Sequence, residues 1–303
     1  MGCCRSFAAP WTMIMSRLVV LAFLFILFMG CSPQDNDISE AVAKTGTDTA
    51  ARKAPASGIT ENQGKPDTIV IAADPWCPHN CEAGSDHEGY MVDLARDILG
   101  EAGYTVDYVN LSWARALQMT REGRLDAVVG AFITDAPDFV FPDTPQGHSS
   151  IALFTHPDNT WHYGGIESLH DQQLLVINGY SYTEELDRYI EEHLADQEKV
   201  LVISGPSPLN RAIGLLEQNR TDIFVEDEYV MAWWAKSTGK AVNPPRDSGL
   251  IGVTDAFVAF SPVREDAKEL AQLLSEGTRQ RIADGRAQQI LGKYGLTLWK
   301  EAP

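Results

Sequence analysis

Along the chain, short uninterrupted apolar runs alternate with stretches in which apolar residues recur every three or four positions. The run TIVIAA at 68–73 is β-branched and free of polar residues, which predicts a buried strand. From Met91 onward, apolar side chains fall at Leu94, Ala95, Ile98, Leu99 and Ala102, one face of an amphipathic helix that Gly103 stops. TVDYVNL (105–111) predicts a second strand, Ser112 a cap for a helix through Glu122, and LDAVVGAF (125–132) a third strand after Gly123. Strand, helix, strand, helix, strand implies a parallel sheet wrapped by helices.

The pattern then repeats. RALQMTREGRLDAVV (115–129) lies on RAIGLLEQNRTDIFV (211–225) without a gap, and Arg115/Arg211, Ala116/Ala212, Arg124/Arg220, Asp126/Asp222 and Val129/Val225 coincide at a constant offset of 96. Both copies lead a helix into a buried strand, so the chain is expected to hold two similar α/β lobes. The second adds LLVI (174–177), a helix from Thr183 to Leu194 and VLVI (200–203). GLIGVTDAFVAFSP (249–262) reads as an extended run leaving it, and 263–297 is helical, with Ala267, Leu270, Ala271 and Leu274 at helical spacing. Those last helices need a sheet to cover, and the first lobe is the natural host. The expected division is 67–152 with 250–303 for lobe 1 and 153–249 for lobe 2. Chain crossings near 150–157 and 246–258 would form a two-strand hinge beside a cleft.

Charge and the N-terminus narrow the role. With 42 acidic and 24 basic residues the net charge is −18, a field that repels phosphate backbones and argues against nucleic-acid binding. MSRLVVLAFLFILFMGCS carries one charge, Arg17, and then twelve apolar residues from Leu18 to Met29. That is too short to span a bilayer and suits the core of a secretory signal, with translation starting at Met13 or Met15 and 1–30 removed. Gly30-Cys31 resembles the lipobox of bacterial lipoproteins, with Phe28 where leucine is commonest; lipidation of Cys31 is implied, and an uncleaved anchor helix is the alternative. From Ser32 to Pro66 large apolar residues are almost absent, as in a flexible tether. Export leaves Cys77 and Cys81 as an even pair in an oxidising compartment.

In open parallel sheets, ligands sit beyond the carboxyl ends of the strands. This selects the loop after Ala73, the stretch Phe132–Thr134, Asn178–Tyr182, Gly205–Ser207 and Glu226-Asp227. The first of these loops carries WCPHNCEAGSDHEGY (76–90). Its Cys77, His79, Cys81 and His87 match no common structural zinc spacing, and C-x-x-x-C differs from the two-residue spacing of redox pairs. The expectation is a Cys77–Cys81 disulfide that braces a ligand loop, with metal and redox sites as the alternatives.

The order and spacing of GYMVDLA (89–95), WARAL…GRLD (113–126), NGYSYTEEL (178–186), TDIFVED (221–227) and ILGKYGL (290–296) resemble the bacterial extracellular solute-binding proteins of family 3, over about 68–297. The resemblance implies a two-lobed, type II periplasmic-binding-protein-like α/β fold that closes on a small solute. It further implies an aromatic ligand contact near Trp76 and a lobe-2 carboxylate at Asp227, with Glu226 beside it, that holds a ligand amine. The residues add Tyr90, which either packs or reaches the ligand, and Phe132. Gly179, Tyr180 and Ser181 precede a helix whose free N–H groups suit an anion, or Ser181 or Thr183 is a plain cap. Amino-acid receptors of this kind show Thr-x-x-Arg after the third strand; here Thr134 is in place and Pro137 stands where the arginine would be, so an ordinary α-amino acid is not expected. Arg115 is the candidate substitute, although its repeat partner Arg211 points to a shared structural role, as it does for Asp126 and Asp222.

These readings describe a monomeric, non-enzymatic, extracytoplasmic receptor without cofactor or metal. Its expected partners are a small solute and an ABC-type permease, with a lipid anchor as its only membrane contact, in the outer membrane if the host is Gram-negative. A sensory or partner-binding module without transport, or a dehydratase-like enzyme on the same fold, is the alternative.

Overall fold

The computed structural model describes residues 67–240 and 244–298. The signal segment, Cys31 and the tether lie outside the described residues. Among the described residues, no helix is long and apolar enough to cross a membrane.

The first part of the chain follows the expected order: β1 (Thr68–Ala73), α1 (Tyr90–Glu101), β2 (Thr105–Asn110), α2 (Trp113–Arg121) and β3 (Ala127–Ala131). β1 lies between β2 and β3 and is parallel to both, with Ile71 opposite Tyr108 on one side and Ala127 on the other. The apolar stripe of α1 (Met91, Leu94, Ala95, Ile98 and Leu99) is buried, as its spacing dictates. Ser112 occupies the N-cap position of α2, but its side chain makes no capping bond.

A second α/β set follows: β4 (Gly147–Thr155), β5 (Leu174–Ile177), α3 (Glu184–His193), β6 (Val200–Ile203), α4 (Pro208–Glu217), β7 (Ile223–Asp227) and α5 (Glu228–Ser237). Thr183 caps α3 by accepting from the Leu186 N–H at 3.3 Å. β5 is parallel to β6 and β7, whereas β4 is antiparallel to β7. The chain then runs through the 15-residue β8 (Arg246–Phe260) into α6 (Ala267–Ala283) and α7 (Arg286–Lys293), both of which pack on α1.

The resulting strand order is β2-β1-β3-β8-β4-β7-β5-β6. β8 is the element common to both halves. Its Arg246–Ala256 stretch pairs with β4, and Phe257 onward pairs with β3, so the partner changes between Ala256 (opposite Gly147) and Phe257 (opposite Ala131). The expected boundaries at 152 and 250 fall inside β4 and β8. The sequence repeat has a concrete counterpart here. Asp126 Oδ2 accepts the backbone N–H of Val70 at 2.7 Å, and Asp222 Oδ2 accepts that of Gln173 at 2.8 Å. In each half, the aspartate ahead of a strand pins the start of its parallel neighbour.

Candidate functional site

The loop between β1 and α1 is folded tightly on itself. Cys77 and Cys81 form a disulfide, the Cys77–Pro78 peptide is cis, and the Trp76 N–H donates to the Asn80 carbonyl at 2.6 Å. The Cys81 carbonyl accepts from Tyr108 Oη at 2.8 Å and Asn110 Nδ2 at 3.2 Å. No side chain caps α1. Instead, the Pro78 and His79 carbonyls accept the N–H groups of Tyr90 and Met91, both at 3.0 Å, so the loop satisfies two of the orphan donors of the helix. This close approach requires Gly89. Its φ is 109°, and a Cβ there would lie 2.4 Å from Asn80 Cα and from the His79 carbonyl oxygen.

With its cysteines oxidised, the loop offers no thiolate ligands, and its histidines are separated. His79 is fully buried and stacked on Trp76, with ring centroids 4.0 Å apart; Nδ1 lies 2.7 Å from Tyr90 Oη and Nε2 3.2 Å from Asp227 Oδ1. His87 is exposed beside Tyr294. Among the described residues, no cluster of three or more metal-ligating side chains is present.

Trp76, Glu226 and Asp227 meet at a cavity between the two halves of the sheet, beyond the carboxyl ends of β1, β3, β5 and β7. The cavity is small, ≈ 30 Å³, where a single water needs roughly 10–15 Å³ on the same measure. Phe132, Tyr180 and Ser181 also line it, so six of the nine expected contacts converge there. Three do not. Tyr90 stands behind His79, which it contacts through its hydroxyl. Thr134 is exposed at the rim, 2.8 Å from Ser181 Oγ. Arg115 is exposed on α2, because Trp113, Ala116, Leu117 and Thr120 claim the buried face of that helix and Arg115 falls on the opposite one.

Asp74, Asn80, Trp113, Asp135 and Tyr182 also line the cavity without having been expected as contacts, although Tyr182 closes the selected stretch Asn178–Tyr182. The signal for Asp74 was present, since it follows the last residue of β1 in a loop already selected. Asp135 lies one residue beyond the selected Phe132–Thr134.

Every carboxylate of the site reaches across to the opposite half. Glu226 Oε1 accepts from Trp76 Nε1 at 2.8 Å and from the Asp227 N–H at 2.9 Å. Asp74 Oδ2 accepts from Tyr180 Oη at 2.8 Å. Asp135 Oδ1 accepts from the Ser181 hydroxyl at 2.7 Å and its N–H at 3.1 Å. The N–H expected to hold an anion therefore holds one of the chain's own carboxylates. Asp227 is the N-cap of α5, accepting from the Val230 N–H at 2.9 Å, and its Oδ2 accepts from the Ser149 hydroxyl and the Ser150 N–H, both at 2.8 Å. Both of its oxygens accept from the chain's own donors, whereas Glu226 Oε2 is buried and has no partner among the described residues.

Burial sets the electrostatics. Glu226 is pushed up to about 8, chiefly because its charged form is desolvated, against the pull of the Asp227 and Trp76 hydrogen bonds. Asp74 rises to about 7 from the same cause, opposed by the Tyr180 hydrogen bond. Asp135 is likewise raised by desolvation, to about 6, with bonds from Phe132 and Ser181 pulling it down.

Comparison with known proteins gives a consistent picture. The profile of the bacterial extracellular solute-binding proteins, family 3, matches residues 69–297. The fold is similar to that of ArgBP from T. maritima, crystallised as a mutant: TM-score 0.62 at 16% identity, over 75% of this chain and 95% of that one. It is also similar to a protein from the structural work on glutathione import in Gram-positive bacteria via GshT and the cystine ABC importer TcyBC of Streptococcus mutans, with TM-score 0.65 at 15% identity, over 78% and 98%. A histidine kinase sensor domain with similarity to periplasmic binding proteins aligns with TM-score 0.60 at 21% identity, over 77% and 98%. No curated protein is a significant match to the sequence.

Proposed function

The chain belongs to the family 3 bacterial extracellular solute-binding proteins, and we propose that it is an extracytoplasmic receptor whose halves close on a small polar solute for ABC-type import. The observation that carries this reading is a cavity at the carboxyl ends of strands from both halves, containing a buried carboxylate oxygen without a partner among the described residues. A ligand that contacts both sides favours closure in proportion to its extra affinity for the closed state. Trp76, Phe132, Tyr180, Ser181, Glu226 and Asp227 form the proposed contact set, joined by Asp74, Asn80 and Asp135. Closure is proposed to pivot where β8 changes partner, between 67–152 with 250–303 and 153–249. Delivery to a permease fits the importer association of the Streptococcus mutans protein. Lipidation at Cys31 would tether the receptor outside the cytoplasm. The role needs no catalytic chemistry.

A thermal-shift screen of the protein against amino acids, amines, organic acids, sugars and nucleosides tests the reading. A ligand at a hundred times its Kd adds about 2.7 kcal/mol, an easily measured rise in melting temperature. No shift with any class overturns the receptor role.

A further inference from the structure

We infer that the solute is a small organic cation bearing N–H donors and no carboxylate, an amine or guanidinium held at Glu226. This deepens the receptor reading and rests on it. Four acidic side chains line the cavity, Asp74, Asp135, Glu226 and Asp227, and among the described residues no lysine, arginine or histidine lines it. Asp135 and Asp227 are committed to donors of the chain itself. Glu226 is 3% exposed, and its Oε2 has no partner among the described residues.

A second buried acceptor points the same way. Asn80, 1% exposed, has an Oδ1 without a partner among the described residues. Its orientation is fixed, because its Nδ2 donates to the Asp74 carbonyl at 2.7 Å, a contact that the oxygen of a flipped amide cannot make. The left-handed Gly130 gives this oxygen room, since a Cβ there would lie 2.6 Å from it. With Glu226 ionised, the site holds two buried acceptors without partners among the described residues; they require donors, and an unmade bond at such a site is costly. A quaternary ammonium has no N–H to give and does not fit.

Carboxylate-bearing solutes fail for a separate reason. Arg115 faces away from the cavity, Pro137 is exposed, and the Ser181 N–H is occupied by Asp135. A ligand carboxylate would meet four acids and no cation. The rings of Trp76, Trp113, Phe132 and Tyr180 suit the positive head and whatever short apolar stem it carries. A bound cation also replaces the protons that burial places on Glu226 and Asp74, so affinity rises with pH up to about 8.

Isothermal titration of the full chain at pH 8 with agmatine, putrescine, arginine, tetramethylammonium and glutarate tests the inference. Agmatine or putrescine is expected to bind, with arginine at least tenfold weaker and no heat from tetramethylammonium or glutarate. Glu226→Gln, which keeps an acceptor for Trp76 and Asp227, is expected to weaken the amine at least tenfold; Asp74→Asn serves as the second variant should the first not fold. Arginine or glutarate binding as tightly as agmatine overturns the inference, as does unchanged affinity in a folded variant. Silence from both amine probes also overturns it. A neutral or acidic solute that binds in the wider screen would then leave the receptor standing without its cation, whereas no ligand of any class removes both.

Discussion

Glu226 and Asp227 are adjacent acids at the end of one strand, and their surroundings give them different work. Asp227 begins α5, so the free N–H groups of the helix and two serine donors hold it as a cap. Glu226 points into the cavity with half of its carboxylate unused. Glu226 and Asp74 hold protons more tightly in the folded protein than in the unfolded chain, where such groups titrate near 4. The raised values fix the sign: their contribution to ligand-free stability is complete below about pH 4 and is lost as pH rises through about 7 for Asp74 and about 8 for Glu226. The ligand-free melting temperature is therefore expected to fall between pH 5 and pH 8, and Glu226→Gln with Asp74→Asn to flatten the fall. Melting curves across that range check this; an equal slope in the double variant would show that neither acid is perturbed.

At the scale of the element, the loop 76–90 is a structural part in its own right. It caps α1, stacks His79 on Trp76 and accepts bonds from Tyr108 and Asn110 on β2. The disulfide closes only a five-residue ring, from which the loop-entropy relation gives about 2 kcal/mol. Replacing both cysteines by serine is expected to lower unfolding free energy by about that amount in urea titrations. It should also weaken solute binding, because Trp76 would pay its ordering entropy on binding. Full affinity in the cysteine-free protein would separate the brace from the site.

On the scale of the whole molecule, the two halves are held together by their own side chains. Trp76–Glu226, Tyr180–Asp74 and Ser181–Asp135 all bridge them, and Thr134 meets Ser181 at the rim. The small cavity fits this closed geometry. A hinge pair with such direct latches closes at lower cost to the ligand, since part of the closing free energy comes from the protein. Trp76→Phe with Tyr180→Phe removes two latches and keeps most of the aromatic surface. The ligand-free variant is expected to show a larger radius of gyration by small-angle scattering than the parent. An unchanged radius would mean that these bonds do not hold the halves closed.

Local patterning carried a large part of this architecture. The apolar runs set the strands, the three-and-four spacing set α1, and the offset of 96 marked two like units in which Asp126 and Asp222 do the same job. Those features depend on neighbours along the chain, and the sequence states them directly. Assigning each acid its role needed the third dimension. Whether Asp227 caps a helix while Glu226 faces a cavity depends on Ser149 and Trp76, which lie 78 and 150 residues away. Asp74 and Asp135 were unremarkable loop acids until folding desolvated them beside Tyr180 and Ser181. Arg115 looked available until the packing of α2 turned it outward. The sequence determined the kind of fold and the loops that surround the cleft. Burial and partnership across the cleft, which only tertiary contact creates, decided which side chains have chemistry left to offer.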